Sequence, residues 1–135
     1  MTFHLVDTSA WIEWLRDTGS PACRAVYQLR ADPVSVAVTQ PVQLEVRAGT
    51  PTSALFRVDR LLGAAIQLDI DPRIDFDVAA GLYRATREAG KPVRSLMDCL
   101  IAAVAVRTGA TVVHQDRDFG ILASVAADLT CVREL

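Results

Sequence analysis

The stretch Leu5-Val6-Asp7-Thr8-Ser9 decides the fold, because a short apolar strand ends there on a carboxylate and a helical pattern follows within two residues. In open α/β sheets, ligands and metal ions bind beyond the carboxyl ends of the strands, which is where Asp7 would lie. An aspartate before Thr8-Ser9 is also an ordinary way to cap a helix, so Asp7 alone does not define a site. Its function depends on which other side chains reach the same edge.

Length and composition predict one compact domain spanning residues 1–135. Apolar residues make up 51% of the chain and charged residues 22%, which is typical of a globular protein rather than a disordered one. The net charge of −2 provides no general attraction for nucleic acid, so binding a polyanion would require a local basic face. All but one of the fourteen basic residues are arginine, a bias that we attribute to the base composition of the source genome.

The cysteines and the N-terminus predict a cytoplasmic protein that is not attached to a membrane. The thiols are far apart and without a CxxC pair or a neighbouring histidine, which favours free cysteines in a reducing compartment. Asp7 and Glu13 interrupt the first apolar run, and no basic segment precedes it, so a signal peptide is not expected. The longest uncharged apolar stretch, 99–106, is too short to span a bilayer. The cysteines are Cys23, Cys99 and Cys131.

Strands and helices are expected to alternate along the chain. This order predicts parallel pairing with right-handed crossovers, so that helices cover both faces of a single sheet. Ser9 is expected to cap the first helix, Asp75 or Asp77 the fifth, and Ser95 the sixth, with an exposed loop at 91–94. The expected strands are 3–7, 34–38, 65–70, 111–114 and 129–133, and the expected helices begin near residues 9, 21, 40, 53, 75, 95 and 120.

Four carboxylates from separate segments can meet at the carboxyl edge of this sheet. Asp7 and Asp116 each follow a parallel strand directly. Asp98 lies in the first turn of a helix that runs antiparallel to the next strand, so it also lies over that edge. Glu45 is about 7 Å into a helix that starts from the same edge, and its long side chain leans back toward the helix N-terminus.

Each of these carboxylates also has a purely structural interpretation. Ser95 and Asp98 match a capping box, Glu45 could be a solvated helix residue, and residues 116–118 could form a polar turn. A shared metal site explains all of the positions at once, because clustered carboxylates repel one another unless a cation is present. Ligand sets made only of oxygen favour Mg²⁺ or Mn²⁺ over zinc.

A carboxylate-bound metal of this kind hydrolyses phosphodiesters and attracts a polyanion to a mildly acidic protein. A basic rim around the site would bind RNA, although each basic residue could equally be a solvated surface charge. The candidates for the rim are Arg16, Arg47, Arg87, Lys91 and Arg94.

Four motifs resemble those of the PIN-domain nucleases, and more narrowly those of the VapC toxins of bacterial toxin–antitoxin pairs. The similarity in order and spacing extends over nearly the whole chain. It implies a PIN-like three-layer α/β/α fold with a central parallel sheet of four to five strands. The motifs are Asp7-Thr8-Ser9-Ala10-Trp11, Glu45, Arg94-Ser95-Leu96-Met97-Asp98-Cys99-Leu100-Ile101-Ala102-Ala103 and Asp116-Arg117-Asp118-Phe119.

The resemblance also implies an activity, a cofactor and partners. It implies an endoribonuclease that depends on Mg²⁺ or Mn²⁺ and cleaves structured RNA, most often tRNA. It further implies a homodimer that is inhibited by a cognate VapB antitoxin, whose C-terminal tail enters the acidic cleft.

Carried over residue by residue, the resemblance assigns roles to this chain. Ser9 corresponds to a hydroxyl that helps to organise the site, and Asp118 to a variable auxiliary acid. His114 departs from the family, in which Thr or Ser is frequent at this position. It could bond a phosphate or the metal-bound water, or be a satisfied strand-end residue, and we favour the second interpretation. The catalytic acids correspond to Asp7, Glu45, Asp98 and Asp116, with the metal held by Asp7, Asp98 and Asp116.

Three other classes compete with a nuclease. A phosphoacceptor receiver domain needs a lysine at a later strand end, whereas Lys91 lies in a loop between helices. A haloacid-dehalogenase-like phosphatase would have Asp-x-Asp after its first strand, where this chain has Asp7-Thr8-Ser9. A non-enzymatic module could use its acidic cleft only to capture an arginine-rich tail. Cleavage of RNA with Mg²⁺ or Mn²⁺ that stops on addition of EDTA separates an enzyme from this last class.

Overall fold

The computed structural model describes residues 2–32 and 35–135, which contain five strands and seven helices. Part of the second predicted strand, at residue 34, lies outside the described residues. The elements in order are β1 (His4–Val6), α1 (Thr8–Leu15), α2 (Pro21–Ala31), β2 (Val36–Val38), α3 (Gln40–Ala48), α4 (Thr52–Gly63), β3 (Ile66–Gln67), α5 (Asp75–Glu88), α6 (Leu96–Thr108), β4 (Thr111–Val113), α7 (Arg117–Val125) and β5 (Thr130–Val132).

The five strands form one parallel sheet in the order β3-β2-β1-β4-β5. The chain runs outward from β1 to β3 and then crosses back to β4 and β5. Right-handed crossovers therefore place α1 to α4 on one face of the sheet and α5 to α7 on the other. The predicted α/β/α architecture is confirmed. The strand order reverses between β1 and β4, so the crevice at their carboxyl ends is the topological switch point where α/β sheets bind ligands.

Each strand is shorter in the structure than predicted, β3 most of all, and α7 begins earlier than expected. β3 covers two residues rather than six. The Leu68 amide still donates to the Val38 carbonyl, and beyond it the Ile70 amide donates to Oε1 of the Gln40 side chain at 2.9 Å instead of to a strand. α7 begins at Arg117, three residues before its expected start, because the Asp116 carboxylate caps it by accepting from the Asp118 amide.

The helix bearing Asp98 is the buried centre of the molecule. Seven consecutive residues of α6, from Cys99 to Ala105, are buried, because its apolar side chains surround the whole helix. Ser95 caps its N-terminus as predicted, with its Oγ accepting from the Asp98 amide at 3.2 Å. Gly109, at φ +73°, provides the left-handed residue that ends it. This packing fixes the axial position of Asp98 at the edge of the sheet.

The three cysteines are free thiols in the structure, as the sequence predicts. Burial raises the pKa of Cys99 to about 11 and that of Cys131 to about 12. Both thiols are therefore protonated and unreactive near neutral pH. Within residues 2–32 and 35–135, every helix is too short to cross a lipid bilayer.

The prediction that Asp75 or Asp77 caps α5 is wrong. Ile74 occupies the cap position, and no side chain caps the helix. Asp75 instead turns inward, where it is fully buried and receives the Asp71 amide and the Arg107 guanidinium. The predicted exposed loop at 91–94 also differs in one residue, because Val93 packs into the core while its neighbours stay exposed.

The ion pair between Arg107 and Asp75 joins the end of α6 to the start of α5. The guanidinium donates through Nε and Nη2 to both carboxylate oxygens at 2.9 to 3.2 Å, and Nη2 also donates to the Asp69 carbonyl at 2.6 Å. Because Asp75 has no contact with solvent, Arg107 provides the charge that balances it.

Replacing Arg107→Met is expected to lower the free energy of unfolding by about 3 kcal/mol, because a buried carboxylate then has no partner. Arg47→Met is the matched control, since its pair with Asp59 is exposed and should contribute less than about 1 kcal/mol. Urea denaturation followed by circular dichroism measures both. Equal losses in the two variants would show that burial does not distinguish the pairs.

Candidate metal centre

Asp7 is both the cap of α1 and a carboxylate with a free oxygen. Its Oδ2 accepts from the amide and the hydroxyl of Ser9, at 2.9 and 2.6 Å. The helix begins at Thr8, so Asp7 occupies the cap position and the prediction that Ser9 caps this helix is wrong. Its Oδ1 is buried without a hydrogen-bond partner among the described residues. One oxygen therefore holds the helix, and the other remains available to a ligand.

Ser9 joins the two strand ends on either side of the switch point. Its hydroxyl donates to Asp7 Oδ2 and accepts from the Gln115 amide, with oxygen and nitrogen 2.9 Å apart. The Asp7 amide donates to the Val113 carbonyl, which extends the pairing of β1 with β4. These bonds hold Asp7 against the loop that carries Asp116.

Glu45 reaches the site from α3 and is oriented by a residue that the sequence analysis did not single out. The Thr8 hydroxyl donates to Glu45 Oε1 at 2.9 Å. Thr8 is the first residue of α1. Its position between Asp7 and Ser9 was the only sign in the sequence that its side chain could reach the site. This hydrogen bond leaves Oε2 of Glu45 free to act on a ligand.

Asp98 lies at the centre of a cluster of five carboxylates. It is 6% exposed, and it belongs to two groups in which the oxygen atoms lie within 4.8 Å of one another. The first group is Asp7, Glu45 and Asp98, and the second is Asp98, Asp116 and Asp118. The four carboxylates that were expected at this edge all belong to these two groups, which Asp98 connects, and Asp118 adds a fifth.

The cluster carries an electrostatic cost that the chain itself does not balance. Burial, together with repulsion from the surrounding carboxylates, raises the pKa of Asp98 to about 8. Burial raises the pKa of Asp7 to about 6, although its hydrogen bonds to Ser9 act in the opposite direction. In the described part of the chain, neither of the two ion pairs involves the cluster. Oxygen ligands, an unpartnered Asp7 oxygen and missing positive charge together fit a divalent cation.

The loop after β4 holds the second group in place. Asp116 Oδ1 accepts from the Asp118 amide at 3.0 Å, and Asp118 Oδ2 accepts from the Arg94 amide at 3.3 Å. His114 is 4% exposed, and its Nδ1 accepts from the Asp116 amide at 3.2 Å. Burial, and secondarily the charge of Arg133, lower the pKa of His114, so the imidazole is neutral near pH 7. The ring therefore has the contacts of a satisfied strand-end residue.

Two of the five candidate rim residues are engaged away from the cluster. Arg47 pairs with Asp59 on α4 at 3.0 Å. Arg87 lies over the Tyr83 ring of its own helix, with 5.4 Å between guanidinium carbon and ring centre.

The other three candidates are exposed and near the site or free to reach it. Arg94 is joined through its backbone to Asp118, and Lys91 lies in the same loop. Arg16 lines a cavity that begins at Glu45.

This cavity is part of a groove along α1 and α4 that the sequence analysis missed. Two cavities of about 440 and 380 Å³ adjoin there and share Leu15, Arg57 and Val58. The walls are mainly apolar, and Trp14 and Leu61 extend them away from the site. The groove lies between α1 and α4, which are distant in the sequence, so local sequence patterns carry no signal for it. Its basic residues, which form no ion pair within the described chain, are Arg16, Arg30, Arg57 and Arg60.

Without metal, the protein is expected to lose stability as the pH rises from about 5 to about 8. The folded Asp98 carboxyl keeps its proton up to about pH 8, whereas an unfolded one releases it near pH 4, so rising pH favours the unfolded chain. Asp98→Asn should flatten this dependence and raise the melting temperature at pH 8 in EDTA. Mn²⁺ should stabilise the natural chain and have little effect on the variant.

Thermal melts at several pH values, with EDTA or with Mn²⁺, provide this measurement. Asp128→Asn is the control, because Asp128 is exposed at the opposite edge of the sheet. A metal-free melting temperature that rises between pH 5 and 8 would contradict the electrostatics described above.

Comparison with known proteins identifies the family. The model of the PIN domain matches residues 4–125. Ribonuclease VapC11 of Mycobacterium tuberculosis is 43% identical over 123 residues, which cover 90% of this chain and 92% of the relative. The toxin–antitoxin complex VapBC-5 of Mycobacterium tuberculosis superposes with a TM-score of 0.69 at 26% identity, covering 98% of this chain and 99% of that one.

A more distant structure shares the fold. The DNA-bound VapBC of Salmonella typhimurium superposes with a TM-score of 0.76 at 16% identity and covers 98% of each chain. The match to the PIN-domain model and the identity to VapC11 show that this chain belongs to the PIN-domain family, among the VapC ribonucleases of toxin–antitoxin pairs.

Proposed function

We propose that this chain is a metal-dependent endoribonuclease, the toxin of a toxin–antitoxin pair, which hydrolyses phosphodiester bonds of structured RNA. The observation that carries the proposal is the cluster of five carboxylates around Asp98, three buried and two half-buried, none of which belongs to an ion pair of the described residues. Such a cluster needs Mg²⁺ or Mn²⁺, and the bound ion would neutralise a phosphate and acidify an attacking water. Among structured RNAs, we propose tRNA as the substrate.

The residues of the cluster would have different roles in the reaction. Asp7, Asp98 and Asp116 would hold the ion, since Asp98 shares one group of close oxygens with Asp7 and the other with Asp116. Asp7 Oδ1 has no other partner among the described residues. Glu45 Oε2 would accept a proton from the attacking water, because Thr8 binds the other oxygen and fixes the orientation of the carboxylate. Asp118 would assist without being essential.

The exposed basic residues near the cluster would hold the RNA backbone. Arg94 and Lys91 lie in the loop joined to Asp118, and Arg16 lies beside Glu45. Arginine and lysine bind phosphates without reading bases, so these contacts would position the RNA rather than specify its sequence. Arg47 and Arg87 would contribute less, because the Arg47 side chain pairs with Asp59 and the Arg87 guanidinium lies over the Tyr83 ring.

Asp98→Asn and Asp7→Asn are each expected to reduce RNA cleavage by two orders of magnitude or more, since both remove a metal ligand without changing side-chain shape. Asp59→Asn is the control, because this carboxylate is on α4 and outside the cluster. A tRNA cleavage assay with Mn²⁺, repeated with EDTA, provides the measurement.

Full activity in both cluster variants, or cleavage that persists in EDTA, would contradict the proposal. A chain that binds Mn²⁺ and an arginine-rich peptide but cuts no RNA would favour the non-enzymatic binding module instead. The receiver-like alternative has little support, since Lys91 is exposed in the loop between α5 and α6.

The proposed inhibitor is a cognate VapB-type antitoxin, and we propose the groove along α1 and α4 as part of its binding surface. The apolar walls and the unpaired arginines fit an amphipathic segment with acidic side chains. Because the groove begins at Glu45, a tail that continues from it would reach the acidic cluster. We further propose that the protein acts in the cytoplasm and that residues 1–135 form a single domain.

We also propose that the chain acts as a homodimer. Leu44 and Leu96 are 61% and 63% exposed and lie next to site residues on α3 and α6. Large apolar side chains exposed beside a polar site are typical of an interaction surface.

The double variant Arg57→Glu with Arg60→Glu is expected to weaken antitoxin binding at least tenfold, because it reverses the charge of the groove. RNA cleavage by the free toxin should be unchanged. Arg84→Glu, on the opposite face of the sheet, is the matched control. Binding measured by calorimetry with the co-encoded antitoxin tests this, and undiminished affinity of the double variant would exclude the groove.

A further inference from the structure

We propose that His114 is a positioning residue whose ring nitrogen holds the backbone of Asp116 and thereby orients one side of the carboxylate cluster. This inference rests on the proposed metal site. It gives a role to a buried ring that lies two residues before Asp116 and is not itself one of the carboxylates.

The imidazole of His114 lies between the end of β4 and the Phe119 ring of α7. The His114 amide donates to the Val132 carbonyl at 3.0 Å, so the residue continues the pairing of β4 with β5. The ring is buried, with its centre 5.3 Å from the centre of the Phe119 ring on α7. It is therefore enclosed between the end of a strand and the helix that follows the site.

The hydrogen bond from the Asp116 amide to Nδ1 belongs to a repeated local geometry. In each case a side chain accepts from the amide two residues later, as Asp7 does from Ser9 and Asp116 does from Asp118. A Thr or Ser hydroxyl could accept in the same way. His114 would thus provide the same acceptor with a nitrogen atom.

The two amides that follow His114, those of Gln115 and Asp116, both donate to side chains. Ser9 Oγ accepts from Gln115, and His114 Nδ1 accepts from Asp116. The first bond leads to Asp7 and the second to Asp116, so the loop is tied to each group of the cluster. Without the acceptor at His114, the Asp116 peptide can rotate, and its carboxylate moves away from Asp98.

Mn²⁺ titration of the purified chain without RNA, followed by electron paramagnetic resonance, tests this role. His114→Phe keeps an aromatic ring against Phe119 but has no acceptor, and it should weaken Mn²⁺ binding by about tenfold or more. His114→Asn supplies a side-chain oxygen for the same amide and should restore most of the affinity. In RNA cleavage, His114→Phe should need more Mn²⁺ for half-maximal rate and recover much of its rate at saturation.

Phe119→Leu is the matched control, because it loosens the packing on the imidazole without removing the acceptor. It should lower the melting temperature and leave Mn²⁺ affinity unchanged. Wild-type affinity in His114→Phe would overturn the inference, and so would a folded His114→Asn as weak as His114→Phe. A loss in Phe119→Leu equal to that in His114→Phe would do the same.

The titration also separates this inference from the proposed function. A chain that binds Mn²⁺ and loses affinity in His114→Phe, yet cuts no RNA, would support the positioning role and contradict the nuclease. A natural chain that binds no Mn²⁺ would overturn both.

Discussion

Repulsion among the carboxylates around Asp98 is the constraint on which the carboxyl edge of the sheet depends. Five acidic side chains come together there, three of them buried and two half-buried, so that little water screens them. Burial first, and then repulsion from the neighbouring carboxylates, raises the pKa of Asp98 to about 8. Neither ion pair of the described residues involves the cluster. The chain therefore maintains an arrangement that is costly by itself and favourable once a divalent ion binds.

The same hydrogen bonds that start three helices also orient the carboxylates. Asp7 caps α1 with one oxygen and keeps the other free, and Asp116 caps α7 in the same manner. Ser95 caps α6 and so fixes the backbone of Asp98. Because each cap belongs to a helix packed on the sheet, the site is held by rigid elements rather than by mobile loops. A mutation that weakens a cap would consequently affect both stability and metal affinity.

The convergence of the acids could be predicted from the sequence, because alternating strands and helices set the direction of each element and hence the edge that it faces. The cap of α1 could not be predicted, since a shift of two residues in the helix start moves the capping role from Ser9 to Asp7. The inward turn of Asp75 depends on Arg107, which is 32 residues away along the chain. The groove along α1 and α4 likewise arises from tertiary packing, to which local patterns are insensitive.

We propose that these carboxylates bind a divalent ion at the switch point between β1 and β4. Anomalous diffraction from a crystal soaked in Mn²⁺ would test this directly, because it locates the metal independently of activity. We expect an anomalous peak in contact with Asp98 and with the unpartnered oxygen of Asp7. A crystal in which the cluster is ordered but the Mn²⁺ peak is absent, or lies elsewhere on the protein, would contradict the account.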